Sequence, residues 1–157
     1  MRRPTERGFT YLELLATCGM LMILASAILP VSRVARVRQK ELELRRELRV
    51  LRNAIDKHQE EAKKGRVGGT DLKLGSEGYP EDLEKLVEGV TPVGSASGTK
   101  IKFLRRIPVD PMTGEAEWGM RCYQDPPDSR SWCGQNVWDV YSLSQGKGLD
   151  GSMYKDW

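Results

Sequence analysis

A chain of 157 residues with a formal net charge of +3 is sized for one domain with a modest core. The charge balance gives no ground for a nucleic-acid partner, and a single histidine, His58, leaves little room for base-assisted nucleophilic catalysis. The hydrophobic content of 39% averages two unlike parts, because apolar residues concentrate at the start of the chain and the remainder is strongly polar.

The first element is an apolar run over residues 9–31, which rises about 35 Å as an α-helix and suffices to cross a bilayer. A cleaved secretory signal is the alternative, with Arg2, Arg3 and Arg7 as its basic region. The apolar part is too long for that class, and no small-x-small site before Pro30 is followed by a clean polar sequel. We expect an anchor that stays attached. Three basic residues precede the span and four follow it (Arg33, Arg36, Arg38, Lys40), so charge alone does not orient it. Cys18 reads as a small buried apolar residue of the span. Glu13 is out of place, since a carboxylate at hydrocarbon depth costs about 2.5–3.5 kcal/mol.

The helical pattern continues beyond the span. Val34, Val37, Leu44, Leu48, Leu51, Ile55 and Ala62 form a stripe at alternating three- and four-residue spacing, with Glu41 and His58 in its two remaining places. Gly65, with basic residues before it, marks the end. We therefore expect a helix over residues 9–64, kinked at Pro30, with an amphipathic continuation over 32–64. Its seam needs either a partner helix in a coiled coil or a sheet from the rest of the chain. Residues 33–66 carry twelve Lys/Arg against six Asp/Glu. Electrostatic binding of DNA is one reading of this excess. A solvated face, partly paired at i, i+4, is the one we adopt, and without interleaved aromatic residues a stacking platform for single strands is not indicated.

A glycine-rich loop leads to PEDLEKLVEG, a short helix over residues 80–88 with Pro80 at its start and Gly89 closing it. Two strands follow, over residues 117–123 and 137–143, rich in Trp, Tyr and Val. Cys122 and Cys133 flank the Pro/Gly/Asp-rich loop between them, and we expect a disulfide there, in an oxidising compartment. Free thiols in a cytosolic domain are the alternative. No second pair or nearby histidine completes a metal site. The four tryptophans read as core and sheet packing. No HExxH, phosphate loop or Ser/His/Asp set is present, and we do not expect an enzyme.

The stretch R-G-F-T-Y-L-E-L-L resembles the processing site of type IV pilins and type II secretion pseudopilins. The resemblance implies a leader over residues 1–8, cleavage of the Gly8–Phe9 bond by a prepilin peptidase, and N-methylation of Phe9. It also explains Glu13, whose carboxylate would meet the N-terminal ammonium of Phe9 on a neighbouring copy in a filament. Pro30 falls where pilin helices commonly carry a proline. Further on, GYPEDLEKLVEG, FLRRIPVDPMTGEAEW and VWDVYSLS with a later LDG and Trp are similar to the major pseudopilin of type II secretion systems.

The fold so implied is α+β, the pilin fold: a long N-terminal helix, membrane-spanning in its first half, packed on a small antiparallel sheet. The segments would be a leader (1–8), a filament-core helix (9–31), its amphipathic continuation (32–64) and a periplasmic domain (65–157). The implied function is that of a structural subunit in a pseudopilus assembled from the inner membrane to drive protein export. A type IV pilin for adhesion, motility or DNA uptake is the alternative. Implied partners are other copies of the chain, sister pseudopilins, the peptidase, an inner-membrane assembly platform and, indirectly, a cytoplasmic ATPase. A permanent anchor with a coiled-coil stalk is a third reading, and it explains neither Glu13 nor Gly8-Phe9.

One departure from that family concerns calcium, which major pseudopilins bind in an Asp/Gly-rich loop after the D-V-Y-S strand. Here the segment is SLSQGKGLDGSMYKDW. Leu143, Ser144, Asp150, Ser152 and Asp156 are the candidate ligands, while Lys147 and Lys155 lower the charge of the site. A loop tied down without metal, by Trp157 packing and glycine turns, is the other reading. Both stand at this point.

Overall fold

The computed structural model describes residues 8–68, 72–73, 75–95 and 98–157, with the side chains of 27–30 outside that description. The leader expected over residues 1–8 therefore lies outside it except for Gly8, as does the side chain of Pro30. One helix, α1, runs through Tyr11–Lys63. The chain divides into two compact units, Met1–Arg38 and Gln39–Trp157.

In the first unit the described side chains are almost all exposed, Phe9 at 84% and Met22 at 69% among them. An 18-residue window of α1 reaches a mean hydropathy of 2.2 with none of it buried, so the helix is long and apolar enough to cross a membrane. Cys18 is a free thiol on the outer surface of this helix, where the burial expected of it would come from the membrane.

In the second unit the apolar stripe finds its partner. Leu44, Leu48, Leu51 and Ile55 are buried together with Ala54, and they pack with Tyr79, Leu83, Leu86, Leu104, Trp118, Val137, Val140 and Tyr154. The seam is covered from Leu44 onward by this chain, whereas Val34 stays exposed. The helix stops where expected. Gly65 takes φ +70° and its N–H bonds the Ala62 carbonyl, while the Arg66 N–H bonds that of Glu61. These two bonds make a Schellman end, which satisfies carbonyls that the helix itself leaves open.

The second helix, α2, spans Leu83–Glu88 and starts later than residue 80. Asp82 is the reason: its Oδ1 accepts the Lys85 N–H at 2.8 Å and caps the helix. Pro80 instead lies before the cap, buried, with its carbonyl bonded by the Val137 N–H. At the far end Gly89 takes φ +81°, and a Cβ there would press on the Ile101 carbonyl.

The sheet has two antiparallel strands, β1 (Gly119–Arg121) and β2 (Asp139–Tyr141), in the register Gly119↔Tyr141, Met120↔Val140, Arg121↔Asp139. Both are shorter than expected. The layout is α+β, a long N-terminal helix with a small antiparallel sheet. A 3-10 turn, Tyr154–Asp156, follows. The IPVDP and DVYS segments meet in space, because Ser142 Oγ donates to the buried Asp110 Oδ2 at 2.6 Å. Asp110 also caps its own turn, accepting the Met112 N–H at 2.7 Å.

Candidate processing site and C-terminal loop

Gly8, Phe9 and Thr10 are exposed backbone without regular structure, directly ahead of α1. Thr10 starts the helix: its Oγ1 accepts the Glu13 N–H at 3.3 Å. Thr10-x-x-Glu13 is the spacing of a capping box, and an acidic residue in the first turn also complements the positive end of the helix dipole. Glu13 thus has a local role beside the one its family resemblance implies. The Thr/Glu spacing carried that signal in the sequence.

Cys122 and Cys133 form a disulfide. The loop it closes is arranged by Asn136, which is fully buried: its Oδ1 accepts the Tyr123 N–H and its Nδ2 donates to Gln124. Asp125 Oδ2 accepts the Cys122 N–H at 2.9 Å. Among the described residues, the only cluster of three His, Cys, Asp or Glu ligand atoms is Cys122, Asp125 and Cys133. Its two sulfurs are already bonded to each other, so it does not make a metal site.

The two polar members of the apolar stripe both face the fold. His58 is fully buried, with Nδ1 3.0 Å from the Gly78 carbonyl and its ring edge-on to Phe103. Glu41 is half-buried, and its Oε1 accepts from the Leu149 N–H at 2.7 Å and from the Tyr154 hydroxyl at 3.2 Å. Burial, then the bond to the Glu41 carboxylate and its charge, push the Tyr154 phenol up.

The five candidate calcium ligands divide into separate groups. Asp150 Oδ1 accepts from both the backbone N–H (2.9 Å) and the hydroxyl (2.6 Å) of Ser152. Its Oδ2 pairs with Arg45 at 3.5 Å. These bonds, the hydroxyl first and then the backbone, with Arg45 adding to them, hold the Asp150 carboxyl below its usual range. Asp150 and Ser152 line a cleft of about 430 Å³ with Arg45, Arg49, Arg52 and Trp157. Asp156 lines a different one, with Arg121, Asp128, Arg130, Tyr141 and Lys155. Ser144 Oγ accepts from the Gly146 N–H, and the Leu143 carbonyl from Gln145.

A three-residue junction, signalled by no local pattern in the chain, sits beside this loop. Asp139 on β2 is held by Arg52 of the helix at 2.7 Å and by its cross-strand partner Arg121 at 3.1 Å. Compared with known proteins, the chain matches no family model, no curated protein and no solved structure.

Proposed function

We propose that the chain is a structural subunit of a filament built from the inner membrane, the major pseudopilin of a type II secretion system or a close relative. The peptidase would cut Gly8–Phe9 and methylate Phe9. The apolar half of α1 would hold the subunit in the membrane and later form the filament core, with the domain from residue 65 on the periplasmic side. On this reading the fold is the pilin fold, and the work is mechanical rather than catalytic.

One observation carries the proposal: a single carboxylate, Glu13, stands at the start of an apolar helix whose described side chains are almost all exposed, shortly after Gly8-Phe9. Such a surface needs lipid or other helices around it. In either setting the carboxylate needs a cation, and the ammonium of Phe9 on a neighbouring copy supplies one. Removing one member of a buried ion pair typically costs ~3–5 kcal/mol. The pair therefore sets the register in which each new subunit enters. The disulfide supports an extracytoplasmic domain, since such bonds persist in oxidising compartments.

The test is the intact mass of the protein purified from its native membrane, with and without reductant. Loss of residues 1–8 plus one methyl group, and a two-hydrogen gain on reduction, is the expected result. An uncleaved chain from cells that contain the peptidase would overturn the proposal. The disulfide loop, with Tyr123 and Trp132 exposed on it, favours a surface-binding pilin as the second reading. Filaments that extend beyond the cell in the absence of any secretion defect would select that reading.

A further inference from the structure

We propose that the loop after β2 is closed by an arginine clamp in the place where a calcium ion would serve, and that its folding is independent of divalent cations. Four contacts form a closed ring. The Arg45 guanidinium stacks on the Trp157 ring, 4.2 Å from its centroid. Trp157 Nε1 donates to Ser152 Oγ at 2.6 Å. Ser152 Oγ donates in turn to Asp150 Oδ1 at 2.6 Å, and Asp150 Oδ2 returns to Arg45 at 3.5 Å. Every link joins the loop to itself or to α1.

A second carboxylate braces the same loop from the helix. Glu41, one turn before Arg45, accepts the Leu149 N–H and the Tyr154 hydroxyl through one oxygen. Tyr154 then packs edge-on to Trp157 at 5.1 Å, which completes the wall on which Arg45 rests. Gly148 leaves room for this arrangement, since a Cβ there would meet the Trp157 ring at 2.8 Å and Asp150 Oδ1 at 2.9 Å.

Calcium takes six to eight oxygens, and this donor set does not fit it. Both oxygens of Asp150 are engaged, Asp156 lies in another cleft, and the Leu143 and Ser144 oxygens hold the turn they belong to. The guanidinium stacked beside Asp150 supplies the positive charge that a metal would bring, and it repels a second cation. The planar guanidinium also offers a face for stacking, which a metal ion lacks. The clamp does not depend on whether the chain assembles into filaments.

The test is hydrogen exchange of the detergent-solubilised full chain, read at the amides of residues 148–154. Wild-type exchange is expected to be the same in excess EGTA and in millimolar calcium chloride. Arg45→Gln is expected to speed exchange there about three- to tenfold, the combined effect of an exposed ion pair and a cation–π contact. Arg45→Lys, which keeps the charge and loses the planar stack, is expected to fall between the two. Slower exchange of the wild type on adding calcium would overturn the proposal, as would an Arg45→Gln chain that exchanges like the wild type.

Discussion

Arg52, on the long helix, holds Asp139, on the second strand, through an Nε–Oδ1 contact of 2.7 Å. The same guanidinium bonds the carbonyls of Val140 at 3.1 Å and Trp157 at 2.7 Å. One side chain thereby ties helix, sheet and loop together. Asp139 is also the register partner of Arg121, so two cations share one carboxylate.

Asp139→Asn is expected to leave both guanidinium groups facing a neutral amide. The Arg52 side chain is 37% exposed and that of Asp139 20%, so the loss is smaller than for a fully buried pair. We expect about 1–3 kcal/mol, measured by urea unfolding. Arg52→Met in the same background should cost less than it does alone. Strict additivity of the two changes would show that the residues are not coupled.

The Cys122–Cys133 bond joins residues 11 apart in sequence. Closing a loop of that size stabilises the folded state by about 3 kcal/mol, chiefly by restricting the unfolded chain. Cys122→Ala with Cys133→Ala should lower the thermal midpoint, and reductant should have no further effect on that variant. An unchanged midpoint would mean that the loop is held by Asn136 and Asp125 alone.

Glu13→Gln separates the two roles of its position. The cap uses the backbone N–H of residue 13, so the amide substitution leaves it in place. Glu13 is exposed, and thermal unfolding should not change. Filament formation, followed by cross-linking in cells, should fall to background while the mature mass stays that of the cleaved chain. Thr10→Val, by contrast, should cost the helix start about 0.5–2 kcal/mol without removing the carboxylate.

The loop should have a pH window. The Asp150 carboxyl is depressed in the folded state, so its contribution is present above the ordinary value of 3.8 and is lost as pH falls through the lower folded value. Tyr154 is raised, so its contribution is complete below the ordinary value of 10.0 and is lost as pH rises through the higher folded value. Exchange at residues 148–154, corrected for intrinsic rates, should be slowest between these limits. Asp150→Asn should remove the acidic edge alone.

Much of the architecture was legible in the chain. The apolar run, the stripe and Gly65 located α1, and two cysteines around a turn-rich loop located the disulfide. Boundaries were harder. Pro80 and Asp82 both signal a helix start, and the side-chain bond from Asp82 to Lys85 decided between them. Glu41 and His58 were visible as polar residues in an apolar stripe, but their partners stand far away in sequence. Arg52 and Asp139 lie 87 residues apart, and nothing in a local pattern connects one charge among many on a helix to one carboxylate on a strand. Trp157 was legible as a residue that ties the last loop down, while its partner Arg45 was hidden for the same reason. An arginine on a solvated face looks like any other until the surface that meets it is known.

The disulfide has one more consequence, for what the chain tolerates. It makes residues 122–133 a ring fastened at its base, and Pro126, Pro127 and Asp128 form the exposed rim of that ring. Residues added at the rim lengthen a loop whose ends are already fixed, and the entropy cost of length grows only logarithmically. Both strands also touch the ring, Arg121 bonding the Ser129 carbonyl and Tyr141 that of Arg130, so the added residues belong ahead of Ser129. Of the described segments, this rim is where the molecule can carry foreign sequence, such as an epitope or a fluorophore-binding peptide, while the domain beneath keeps its register.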